Sequence, residues 1–175
     1  MIKIQFFILV FFIQLYGQQD SSDYISLKRG PCYGPCPVYT VTIYSDGTVH
    51  YTGEKFVKVT GHREYKIPED SAAYLFKKAN EIDIFSFKDE YREGRFIEKK
   101  ENNNYDTLRY IITDKPTYTV TIKLGDEQKS IIDYFRVRSS NPHYEELKKY
   151  EAPQSLKDLE LEIDRIAGTE KFIKK

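Results

Sequence analysis

Cys32-Tyr33-Gly34-Pro35-Cys36-Pro37 opens directly onto Val38-Tyr39-Thr40-Val41-Thr42-Ile43. No other stretch constrains the fold as tightly. The two cysteines are the only ones in the chain, and a Gly-Pro turn lies between them. A bridge from Cys32 to Cys36 would close a very small loop, worth about 2 kcal/mol by loop-closure entropy. It would act as a staple at the start of the strand that follows. The alternative is a copper or zinc site, or thiol-redox chemistry, at Cys32 and Cys36, with His50, His62 or His143 as a further ligand. Redox pairs usually have two intervening residues and precede a helix that lowers the thiol pKa. Here three residues intervene and a strand follows, so the staple is the expected role.

From that turn the chain reads outward in alternating segments. Tyr24 to Arg29 places Ile25 and Leu27 on one face. Tyr39, Val41 and Ile43 share a face, with Thr40, Thr42 and Tyr44 opposite. Asp46-Gly47 is a hairpin signal, and Val49 and Tyr51 return on the face of Val41 and Ile43. Phe56 to Thr60 is expected to continue that strand or add another, and His62 to Ile67 reads as a further strand. The period changes at Pro68. Ala72, Leu75, Phe76, Ala79 and Ile82 recur at helical steps, which predicts a helix over 68–82. Ile84 to Phe87 is an apolar plug.

Residues 88–106 turn polar and are expected to form a long mobile loop. Tyr105 to Thr113 is read as a strand. Tyr118, Val120, Ile122 and Leu124 alternate with Thr117, Thr119, Thr121 and Lys123. Gly125-Asp126 turns the chain back through Gln128 to Phe135. Residues 136–151 are polar, with a short helix expected at Tyr144 to Tyr150. Pro153 starts a last helix with Leu156, Leu159, Ile163 and Ile166 on one stripe, ended by Gly168. Phe172 and Ile173 are expected to tuck back. Hairpins with separate helices predict an α+β fold, a mostly antiparallel sheet with two main helices packed on one face.

The N-terminus reads differently. Met1-Ile2-Lys3 is basic, Ile4 to Leu15 is almost wholly apolar, and Tyr16-Gly17 meets a polar run. The apolar core is short for a membrane span, which needs about 20 residues. Residues 1–17 are therefore expected to be a signal peptide, 18–23 a disordered lead-in, and 24–173 a single α+β domain. Export to the periplasm or beyond follows, without a transmembrane segment after cleavage, in a compartment where disulfides persist. With 27 basic and 27 acidic residues, the chain has no electrostatic reason to bind nucleic acid.

Chemical motifs are sparse. His50, His62 and His143 have no metal-ligand spacing and read as surface residues, His50 on the outward face of its strand. Asp89, Glu90, Asp114 and Asp133 are the carboxylates worth tracing. A buried Asp133 would need a cation, with Arg63 or Arg29 as candidates. A hydrolase built on Asp114, His62 and Arg63 would require a pocket in which they converge. No nucleophile elbow, phosphate loop, dinucleotide fingerprint or zinc-protease motif occurs. No catalytic, cofactor-binding or metal residue is assigned from sequence.

The run from Cys32 to Tyr39 resembles the C-[FY]-G-x-C-P-x-Y signature of an uncharacterised, exported bacterial family, a domain of unknown function. The resemblance continues through Ile43-Tyr44-Ser45-Asp46-Gly47-Thr48-Val49, Phe56 to Gly61, Phe85-Ser86-Phe87 and Thr113 to Tyr118. It includes Asp133-Tyr134, Ala152-Pro153 and Ile163 to Thr169, and spans most of residues 24–173. Residues 92–112 and 136–151 are longer than the equivalent connections in relatives. The resemblance implies export and a small α+β domain, and brings no activity. The expectation is a secreted or periplasmic non-enzymatic binding domain held by one disulfide. Its partner would be an envelope or extracellular macromolecule.

Overall fold

The computed structural model describes residues 23–99, 105–111, 114–134 and 136–173. The expected signal peptide and all but the last residue of the lead-in lie outside the described residues.

Tyr24–Arg29 is β1, and it pairs on both sides. One neighbour is β2, Val38–Tyr44, which follows the cysteine turn. The other is β8, Tyr118–Leu124, nearly a hundred residues on. Asp46-Gly47 makes the turn to β3, Thr48–Lys55. Gly47 takes φ 77°, and the Asp46 carboxylate accepts from the Thr48 amide at 2.8 Å. β4, Gly61–Lys66, then forms the outer edge. On the other side β8 turns at Gly125 into β9, Glu127–Asp133, and the two-residue β5, Glu90–Tyr91, lies parallel to β9. The sheet order is β4-β3-β2-β1-β8-β9-β5, antiparallel except at its last pair.

Alternation gives this sheet two unlike faces. Ile25, Leu27, Val41, Ile43, Val49, Tyr51, Val120, Ile122 and Ile131 point to one side and are buried. Two helices cover them. α1, Glu69–Glu81, contributes Ala72, Leu75 and Ala79; α3, Gln154–Ala167, contributes Leu156, Leu159, Ile163 and Ala167. Each fully buried branched side chain is worth about 1.5–3 kcal/mol, so this single layer dominates stability. Gly168 ends α3 in the left-handed region at φ 62°, as its position predicts. The α+β expectation, with the helices on one face, is met.

Two segments differ from expectation. The polar stretch after the first helix is not a loop throughout. β6, Glu93–Lys99, and β7, Tyr105–Ile111, pair as an antiparallel hairpin apart from the main sheet, while 100–104 lie outside the described residues. A charged pair crosses it, since Glu93 of β6 bonds Arg109 of β7 as well as Arg95 on its own strand. A second small cluster forms beside it from Val137, Leu147, Tyr110, Tyr144 and Tyr150, with Leu147 on the short helix α2, Tyr144–Leu147.

Residues 56–60 neither extend β3 nor form a strand. Phe56 adopts φ 55°, and the chain loops out so that Gly53 pairs with Gly61. The amides of Lys58 and Val59 donate to the Phe172 carbonyl instead of to a strand, at 2.8 and 3.0 Å. Phe172 belongs to α4, Glu170–Ile173, which tucks back as expected, its ring against Tyr51 and Tyr65.

Candidate functional site

Cys32 and Cys36 form a disulfide with Cα atoms 5.8 Å apart. The loop root is tied down by the Gly30 amide, which donates to the Thr117 carbonyl at 2.7 Å. Tyr33 projects from the tip, 91 % exposed. With both sulfurs bonded to each other, neither is a thiolate that could hold a metal in this state.

The carboxylates traced from the sequence separate into surface and buried groups. Asp89 meets Lys129 at 2.9 Å and Glu90 meets Arg92 at 2.6 Å, both at the surface. Asp133 is 1 % exposed, and its cation is Arg136, three residues on, rather than Arg63 or Arg29. Arg136 follows Asp133 by three residues, so the cation is a local one. Arg29 serves a different acid. It bonds Asp164 of α3 at 2.5 Å and lies 4.0 Å over the Tyr118 ring. Asp164 also accepts from the Tyr39 hydroxyl at 2.7 Å and from the Thr169 hydroxyl at 3.0 Å. Burial, then the Asp164 charge, holds the Tyr39 phenol well above its ordinary range.

Glu160, also on α3 and 2 % exposed, was not singled out by sequence because it sits one position off the leucine stripe. Burial first, then the charge of Asp133, pushes its carboxyl up to about 8. Its Oε1 has no hydrogen-bond partner. This cluster joins the helix to the end of the sheet. The clefts beside Tyr74 and Arg165, and beside Tyr91 and Tyr150, are lined by other residues. Nor do Asp114, His62 and Arg63 converge. The latter two stand on edge strand β4, while Asp114 precedes β8, four strand spacings away at about 4.8 Å each.

The other face of the sheet is the larger chemical surface. Register sets it in three rows across β4, β3, β2, β1, β8 and β9. The middle row runs Glu64, His50, Thr42, Ser26, Thr121, Ser130. Hydroxyls pair along it, Ser26 with Thr42 and Thr121 with Ser130, each at 3.0 Å. Every side chain in the row is half-buried or exposed, and both long helices lie on the opposite side.

A belt of four rings crosses this open face, one from each of β1 to β4. Tyr24 meets Tyr44 with centroids 6.1 Å apart, Tyr44 meets His50 at 4.9 Å, and His50 meets His62 at 5.2 Å. At the end of the belt His50 Nε2 lies 3.2 Å from Glu64 Oε2. One ligand atom each from His50, His62 and Glu64 falls within 4.8 Å of the others. The sequence reading set His50 and His62 apart as separate surface residues. The signal that unites them is the register across Gly53 and Gly61, which a strand drawn through 56–60 hides.

No curated protein and no solved structure matches this chain. A family model described as "Domain of unknown function (DUF6438)" matches residues 23–167, from the residue before β1 to the last turn of α3. That span holds the cysteine turn, the whole sheet, both long helices and the ring belt, so the chain belongs to the DUF6438 family.

Proposed function

We propose that this chain is an exported, non-enzymatic binding domain that takes an uncharged envelope polysaccharide on the open face of its sheet. The belt from Tyr24 through Tyr44 and His50 to His62 carries the reading. Rings spaced along a line offer apolar surface with polar edges to successive units of a polymer. The flanking Ser and Thr hydroxyls donate and accept, as sugar hydroxyls require. Equal numbers of basic and acidic residues favour a neutral ligand over a polyanion.

Export is supported by the pattern of residues 1–17 and by the disulfide, which suits an oxidising compartment. Asp133 and Asp164 pair with arginines inside the fold, which suits a structural role.

The test is sedimentation of the folded domain with insoluble envelope polysaccharide. Each tyrosine removed from the belt is worth about 1 kcal/mol, roughly fivefold in affinity. The Tyr24→Ala, Tyr44→Ala double variant should therefore lose retention roughly 25-fold by the same arithmetic, while a Tyr74→Ala control on α1 keeps it. Unchanged retention in the double variant overturns the reading. So does release of soluble fragments by the wild type, which would make it an enzyme.

A further inference from the structure

We propose that His50, His62 and Glu64 form a surface site for one divalent transition-metal ion, with zinc and copper(II) as the cations that fit. The inference needs only these three side chains and stands apart from whatever the open face binds. β4 supplies His62 and Glu64 two positions apart, on the same side of the strand. β3 supplies His50 directly opposite Glu64, so three ligands converge on the outer side of one hairpin.

The spacing matches the coordination chemistry. A zinc ion about 2.0–2.1 Å from two donors at the tetrahedral angle holds them about 3.3 Å apart. His50 Nε2 and Glu64 Oε2 already stand 3.2 Å apart. His62 offers its nitrogen within 4.8 Å of both, and as an exposed edge-strand side chain it can close the remainder by rotation. The Tyr44 ring, 4.9 Å from His50 and edge-on to it, limits where that imidazole can swing.

Two imidazoles and one carboxylate select borderline cations over calcium and magnesium, which prefer all-oxygen shells. Three ligands from one side leave the solvent side of the ion open. A fourth donor would be water or a group on a bound partner. The cysteines are bonded to each other and supply no competing thiolate.

The experiment is calorimetric titration of the full-length, chelator-treated protein, without an affinity tag, with zinc chloride and separately with copper(II). One ion per chain is expected, with copper bound more tightly than zinc, and no saturation by calcium. His50→Ala and His62→Ala should each weaken binding by about 100-fold, since even indirect supporting residues are worth 10–100-fold. Glu64→Gln should weaken it less, and His143→Ala should leave it unchanged. His50, His62 and Glu64 lie on strands and His143 in the turn before α2, and unchanged melting of the metal-free variants verifies the fold. Absence of a saturable site, or affinity that survives in the His50→Ala, His62→Ala double variant, overturns the proposal. Polysaccharide retention measured in chelator keeps the two readings distinct, because the metal site stands or falls on titration alone.

Discussion

Replacing Glu160 by glutamine should change how stability depends on pH, without changing the fold. Glu160 is buried between α3 and the sheet, facing Asp133 on β9, Arg136 beyond it and Arg29 on β1. In the unfolded chain its carboxyl ionises near 4.5; in the folded protein burial and Asp133 hold the proton to about 8. Between those values the folded state binds a proton that the unfolded state has released. Stability contributed by this group is full below 4.5 and declines as pH rises through the window, then levels off above 8. Each pH unit is worth about 1.4 kcal/mol, which gives roughly 3 kcal/mol lost by pH 7 and about 5 at the plateau.

Glutamine has the shape of the protonated acid and cannot ionise, and its amide can donate towards Asp133. The variant should therefore match the wild type near pH 4.5 and exceed it by about 3 kcal/mol at pH 7. Urea denaturation at half-unit pH steps measures both curves, and groups that do not interact with Glu160 cancel in the difference. Parallel curves from pH 5 to pH 8 would refute the reasoning, because they would mean that Glu160 ionises in the folded protein as easily as in water.

Other outcomes follow from the same structure. Asp164→Ala leaves a largely buried Arg29 uncompensated and removes the acceptor of the Tyr39 hydroxyl, and should cost about 3–5 kcal/mol in chemical denaturation. Cys36→Ser opens the five-residue loop and should cost about 2 kcal/mol, a loss that reductant reproduces in the wild type but not in the variant. Gly53→Ala would place a Cβ 2.1 Å from the Val59 carbonyl and 2.8 Å from the Tyr51 hydroxyl, a clash with backbone that should cost about 1–3 kcal/mol in thermal unfolding.

The legible part of this fold was the part whose pattern is local. Strands β1, β2 and β8 declare their faces by alternation, and α1 and α3 by apolar spacing between Pro68 and Ile82 and between Pro153 and Gly168. The β6–β7 hairpin did not declare itself, because its pairing rests on Glu93, Arg95 and Arg109, which read as solvent-exposed loop. The partner of Asp133 was misread because the sequence pattern does not show which arginine lies within reach of the end of β9, and the local Arg136 was passed over. The ring belt and the His50–His62 approach depend on register between strands. The outward position of His50 could be read, but its distance from His62 depended on knowing that residues 56–60 loop out and return.

The hold that α4 has on the 56–60 loop bears on the order in which the molecule can be completed. Phe172 reaches back more than a hundred residues to take the amides of Lys58 and Val59, and the Tyr65 hydroxyl donates to the Ala167 carbonyl at 2.5 Å. Contacts this distant in sequence form late, because a long loop must close before they gain anything. A chain delivered from its N-terminus, from the ribosome or through a membrane pore, would have its β3–β4 hairpin in place but unlatched until residues 167–172 arrived. The edge that carries His50, His62 and Glu64 is thus set by residues more than a hundred positions downstream, and a chain cut before Ala167 would present that edge loosened while its central strands stay paired.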